Sequence, residues 1–113
     1  MNLPSISSSH LAIPVASFSD ILNQLNRDLK RAGEGGLELD EITAETLIEG
    51  VNQQLVKLHK RDSSSIWSFL YLVDLPEDII HSLQPFESNL NELSRFILIR
   101  EWQKVVIRQH FSS

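Results

Sequence analysis

Between Phe18 and Ala32 the apolar residues fall at Phe18, Ile21, Leu22, Leu25, Leu29 and Ala32. Steps of three and four place them on one stripe of a helix that turns about 100° per residue. A second stripe follows at Ala44, Leu47, Ile48, Val51, Leu55 and Leu58. Each segment must bury one side and leave the other wet, which a lone helix cannot do. The pattern therefore commits the chain to helices packed around a shared core.

The ends of both segments carry helix signals. Ser17 and Asp20 are spaced as a capping box, in which each side chain bonds the other's backbone N–H. Arg27, Lys30 and Arg31 load the last turn, where cations suit the helix dipole, and Gly33 supplies the stop. The second helix is expected to begin near Asp40 to Thr43 and to run to about Lys60, with Lys57, Lys60 and Arg61 at its end. Gly50 interrupts it at a cost of about 1 kcal/mol relative to alanine. Its place near the apolar edge points to close approach by another helix. The intervening Gly33-Glu34-Gly35-Gly36 has neither the dinucleotide nor the Walker spacing and reads as a flexible connection.

Beyond Asp62 and the serines Ser63 to Ser65, which offer several N-caps, the chain becomes apolar on every side from Ile66 to Val73. Such a run is a buried central helix or a buried strand, and length alone does not separate the two. Asp74-Leu75-Pro76-Glu77 has the form of a new helix start, with Asp74 as N-cap, proline in the first turn and Glu77 at the third position. A last helix is expected to start between Pro85 and Ser88 and to reach about His110. Its apolar residues point two ways: Leu90, Leu93 and Ile97 form one face, and Leu98, Trp102, Val105 and Val106 form another.

These segments add up to an all-α fold, a small bundle of four to five helices. An irregular arm covers residues 1–16, where Pro4, Pro14 and several serines break any period, and a single helical domain covers 17–113. Leu25, Leu47, Leu55, Trp67, Leu70, Leu93 and Trp102 are the expected core. With no cysteine in its 113 residues, the chain has neither disulfide staples nor thiolate metal sites. Together with a first segment that lacks the features of a signal peptide, this points to the reducing cytoplasm. The strongly apolar stretch Ile66–Val73 is far shorter than the ~20 residues that span a bilayer.

No local motif supports catalysis. The four histidines, His10, His59, His81 and His110, never recur at three or four residues from one another, so no helix offers two imidazoles to a metal. Glu77 and His81 are four apart and read as a surface contact. The nucleophile-elbow and Ser-x-x-Lys patterns are missing, and no cofactor is expected. Trp67, Phe69 and Tyr71 have no basic residue among them and read as core aromatics rather than a base-stacking platform. A net charge of −5 works against nucleic acid as the partner.

Charge is nevertheless segregated. From Ala32 to Val56 stand Glu34, Glu38, Asp40, Glu41, Glu45 and Glu49 with no lysine or arginine, whereas Arg95 to Ser113 carries a net +3. Arg100, Lys104 and Arg108 recur every four residues. The two-faced last helix leaves Phe96, Ile99 and Ile107 in excess of what a core needs. The sequence thus points to a non-catalytic interaction or assembly module that forms a homodimer. Its surface would consist of Phe96, Ile99 and Ile107 with Arg100, Lys104 and Arg108, the cations meeting Glu41, Glu45 and Glu49 of the same or the other chain. The alternatives are an arm folded over the last helix, and an acidic regulator that neutralises a basic protein.

Overall fold

Helix α1 (Phe18–Arg31) and helix α2 (Ala44–Arg61) form on the two stripes, in a computed structural model that describes residues 13–111. Their inward residues are those the period selects: Ile21, Leu25, Leu29, Leu47, Val51, Leu55 and Leu58 are all buried. Helix α3 (Ser63–Val73) follows after one residue, then the short α4 (Glu77–Ser82) and the long α5 (Leu90–Phe111). Among the described residues there is no strand, and the fold is a small all-α bundle. Both α3 and α5 pack on α1 and on α2. Polar contacts set the direction: Asp20 meets Gln109 and Asp28 meets Lys104, so α1 and α5 run antiparallel.

The Ile66–Val73 run resolves as helix because its N-terminus is well capped. Asp62 accepts from the Ser65 backbone N–H at 2.8 Å and from the Ser64 hydroxyl at 2.7 Å. These bonds, the Ser64 hydroxyl first, hold its carboxyl below the usual carboxylate range. Four aliphatic or aromatic side chains of α3 (Ile66, Phe69, Leu70 and Val73) are buried, whereas Tyr71 is exposed and Trp67 half-buried. The helix is therefore not enclosed on every side.

Several end signals act differently from their sequence reading. Ser17 makes no side-chain cap; Val15–Ser17 is instead a 3₁₀ turn that runs into α1. The reciprocal box occurs at α2, between Thr43 and Thr46. Gly33 does end α1, at φ +84°; its own N–H bonds the Lys30 carbonyl, and that of Glu34 bonds the Leu29 carbonyl. Asp74 does not start α4. It ends α3 in the left-handed region at φ 69°, and Pro76 precedes α4. An aspartate tolerates that conformation better than most residues, and here Arg100 of α5 donates to its carboxylate at 2.8 Å and to its carbonyl at 3.1 Å.

The glycine-rich connection is pinned rather than free. Asn26 of α1 accepts from the Leu37 N–H at 2.6 Å and donates to the Leu37 carbonyl at 3.1 Å, which satisfies both backbone groups as a neighbouring strand would. The Leu37 side chain lies where a Cβ on Gly50 would be, 2.9 Å from its Cδ1, so the close approach at Gly50 comes from this loop and not from a helix. Glu34 is buried under the loop in a two-pronged pair with Arg61, which holds its carboxyl below the usual range. Asn26→Ala should cost about 1–3 kcal/mol in urea denaturation, because the Leu37 N–H and C=O lose their partner in a half-buried place. A change within about 0.3 kcal/mol would mean that water replaces the asparagine.

The core holds Leu25, Leu47, Leu55, Leu70 and Leu93 as expected, but Trp67 and Trp102 are only half-buried. Trp67 sits at the rim, with its ring 6.1 Å from Phe86 and 5.5 Å from His81. Of the arm, residues 13–16 are described: Ile13 is buried, while Pro14, Val15 and Ala16 are exposed. An arm folded over the last helix concerns residues that lie outside the described ones.

Candidate functional site

Helix α5 turns Leu93, Ile97, Leu98, Glu101 and Val105 toward the bundle. On a 100° wheel the opposite side carries Phe96, Ile99, Gln103, Val106, Ile107 and His110. Near its start this outer face is partly covered. Leu75, Pro76 and Ile79 form the far wall of an open groove of about 270 Å³ whose near wall is Phe96, Ile99, Arg100 and Gln103. Ile99 is almost wholly buried in the groove floor, at 6% exposure. Toward the end nothing described lies over the helix: Val106 is 44% exposed, Ile107 50% and Phe111 78%. Of the three residues expected to exceed the needs of the core, only Ile107 is exposed; Ile99 belongs to the core, covered by the Leu75–Ile79 segment, and Phe96 packs against it.

The basic line does not join that face as a set, nor does it meet the acidic block within the chain. Arg100 binds Asp74. Lys104 reaches inward to Asp28 at 2.5 Å and to Glu101 at 2.9 Å. Arg108 donates to Gln24 of α1. The reason is position: Lys104 and Arg108 lie three and seven residues beyond Glu101, on the flank of the helix that borders α1. Glu41, just before α2, and Glu45 and Glu49 on it are exposed, and none forms an ion pair with a described residue.

A second arrangement escaped sequence reasoning. Asp28 and Glu101 are both fully buried, one on each of two facing helices. Lys104 stands between them, its Nζ also donating to the carbonyl of Leu72 at 3.1 Å and of Val73 at 3.3 Å, where α3 ends. The ammonium touches Glu101 without a well-directed bond, so neither Glu101 oxygen accepts a hydrogen bond. An ionised carboxylate cannot donate to its neighbour, but a protonated one can. Burial first, and a hydrogen bond with Asp28 second, push the Glu101 carboxyl up to about 8 against the pull of Lys104.

A third feature joins distant segments. His59 Nε2 lies 2.7 Å from Glu87 Oε1 across a cleft of about 470 Å³ lined by Ile66, Trp67 and Phe86. Both partners are exposed, and the pair ties α2 to the turn before α5. The paired spacing of Glu77 and His81 yields no ion pair; His81 instead lies against Trp67. Among the described residues no group of three or more histidine, aspartate and glutamate side chains is placed to hold a metal ion, and no helix is long and apolar enough to cross a membrane. No protein-family model, curated protein or solved structure matches the chain.

Proposed function

We propose that the chain is a non-catalytic interaction and assembly module that pairs with a second copy of itself through the outer face of α5. The observation that carries this reading is the groove walled by Phe96 and floored by the buried Ile99, which continues along α5 into the exposed Val106 and Ile107. A two-fold axis through Gln103 makes this line self-complementary. In an antiparallel crossing Ile107 of one copy falls opposite Ile99 of the other, and the protruding end of each helix enters the other's groove. Lys104 and Arg108 are engaged inside the chain and take no part, while Arg100 at the groove rim keeps a face toward the interface.

Size sets the strength. The 22 residues of α5 span about 33 Å at ~1.5 Å each. A strip that long and roughly 10 Å wide is well below the ~800 Å² per partner of a standard stable interface, even with the groove walls added. The dimer is therefore expected to be weak, with dissociation in the micromolar range. Sedimentation equilibrium from about 1 to 100 µM should show a concentration-dependent shift from monomer to dimer. Ile107→Asp should abolish the shift and leave the helical circular dichroism intact, since Ile107 is half-exposed. A monomer throughout rejects self-pairing. If removal of residues 1–12 then released a dimer, the arm would be the occupant of this face.

One observation favours a second reading. Glu38, Asp40, Glu41, Glu45 and Glu49 are exposed and are paired with no described residue, so the start of α2 offers a field of one sign to a basic protein. Binding of a polylysine peptide that weakens with salt and is lost in Glu41→Gln/Glu45→Gln/Glu49→Gln would support this reading over self-pairing.

A further inference from the structure

We infer that Asp28, Glu101 and Lys104 form a proton-operated latch between α1 and the C-terminal half of α5, closed while the two carboxylates share one proton and released when that proton is lost. The charge count is the first argument. With both acids ionised, two negative charges face one ammonium in a place where both acids are fully buried. One proton on Glu101 makes the cluster neutral and turns one of its oxygens, neither of which accepts a hydrogen bond, into a donor toward Asp28.

Among the described residues no other charged partner reaches the two carboxylates. From α1 the polar groups are Asp28 itself and Gln24, whose amide donates to Asp28 Oδ1 at 3.4 Å while its oxygen is taken by Arg108. Arg108 thus acts on the cluster only through Gln24. From α3 come the carbonyls of Leu72 and Val73, both spent on Lys104, and beyond them Asp74, already paired with Arg100. From α2 the polar contact to α5 is neutral, Asn52 with Ser94 and Asn91, and its charged side chains Glu45, Glu49, Lys57, His59, Lys60 and Arg61 are exposed. On the turn before α5, Glu87 is held by His59. The position of the Glu101 titration, raised to about 8 by burial, agrees with this geometry.

The consequence is local. Past Glu101 only Val105 of α5 is buried, and residues 106–111 are exposed, so the cluster is a main tie of this half of the helix. Opening exposes Glu101 to water, where its carboxyl titrates as an ordinary one. Between that ordinary range and pH 8 the open form should gain on the closed one by about tenfold per pH unit.

Native-state amide exchange tests this at a protein concentration where sedimentation gives a single species, so the result does not depend on self-pairing. Protection factors over residues 101–108 should fall by roughly 10- to 100-fold from pH 6 to pH 8 in the native sequence, while those of α2 stay level. In Glu101→Gln, whose amide donates at every pH, they should stay level too. A fall of the same size in Glu101→Gln, or an equal fall in all helices, overturns the latch. Carboxyl carbon NMR of the native chain is the second readout and needs no variant. A Glu101 midpoint between about 7 and 9 supports the latch, and a midpoint below about 6 overturns it.

Discussion

Lys104→Met should cost about 3–5 kcal/mol at pH 8.5, with a much smaller loss at pH 5.5, by urea denaturation. Methionine keeps the length of the stem and removes only the charge, so packing changes little. What remains is two fully buried carboxylates with no cation between them. The sign follows from the direction of the Glu101 shift. Its carboxyl titrates near 8 in the folded chain and near 4.5 when free. A proton held more tightly by the folded state contributes stability that is fully present below about 4.5 and is lost as pH rises through about 8. Lys104 is what offsets the negative charge once that proton leaves. Without it the Glu101 carboxyl moves further up, and the penalty grows toward alkaline pH. Equal losses at the two pH values would mean that Lys104 acts through its stem and its carbonyl contacts rather than through the carboxylates.

The cluster also bears on how the bundle finds its register. Apolar stripes on α1 and α5 allow one helix to slide past the other by a turn at modest cost, because leucine meets leucine again. A buried acid does not tolerate that slide, since its partner moves about 5.4 Å away. Asp20, Gln24 and Asp28 follow one another at one turn along α1, and their partners Gln109, Arg108 and Lys104 run the other way along α5. That ladder selects one antiparallel alignment among those that the apolar residues alone would accept.

Much of this was legible in the sequence, but only where a signal is local. The stripes of α1 and α2 are local, and so are Gly33 as a stop and Asp62 as a cap. The last helix was legible in extent and in having two faces. The reading failed where one residue type has two uses. Asp74 followed by leucine and proline looks like a helix start, yet the chain had first to leave α3, and Asp74 serves that turn. Ser17 and Asp20 have the box spacing, but the 3₁₀ turn places Ser17 at φ −90°, ψ −8°, away from the extended backbone of a capping residue. Pairs such as Glu34 with Arg61 and His59 with Glu87 join residues nearly thirty positions apart, and no period connects them. The buried cluster was a different omission, because its signal was present. Asp28 lies three residues past Leu25, and Glu101 lies midway between Ile97 and Val105, so both acids occupy apolar-stripe positions. Counting Glu101 as one acid in a basic segment hid the fact that its azimuth is inward. The wheel also separates Lys104 and Arg108, which flank the core, from Ile107, which faces out, and a count of charges cannot.

Leu55→Ala should cost about 2–5 kcal/mol, and its neighbour Val56→Ala within about 0.5 kcal/mol, by chemical denaturation. The two residues are adjacent in sequence and opposite in environment: Leu55 is fully buried, and Val56 is 37% exposed beside the cleft near His59. Leu55 lies one turn before Leu58 and one turn after Val51, both at 1% exposure, on the face that meets α3 and α5. Removing its three terminal carbons takes away transfer free energy and leaves a void, because helices fixed on both sides can close only partly around it. The upper part of the range corresponds to a rigid site, the lower to one that relaxes around the void. Val56 loses less area and leaves its space open to water, so no cavity term arises. The denaturant dependence should be unchanged in both variants, which keeps the comparison on the folded state. A loss below about 1 kcal/mol for Leu55→Ala would mean that the α2 stripe is not held against the core in solution. In that case the stripe of α2, rather than the outer face of α5, would be the first surface to test for a partner.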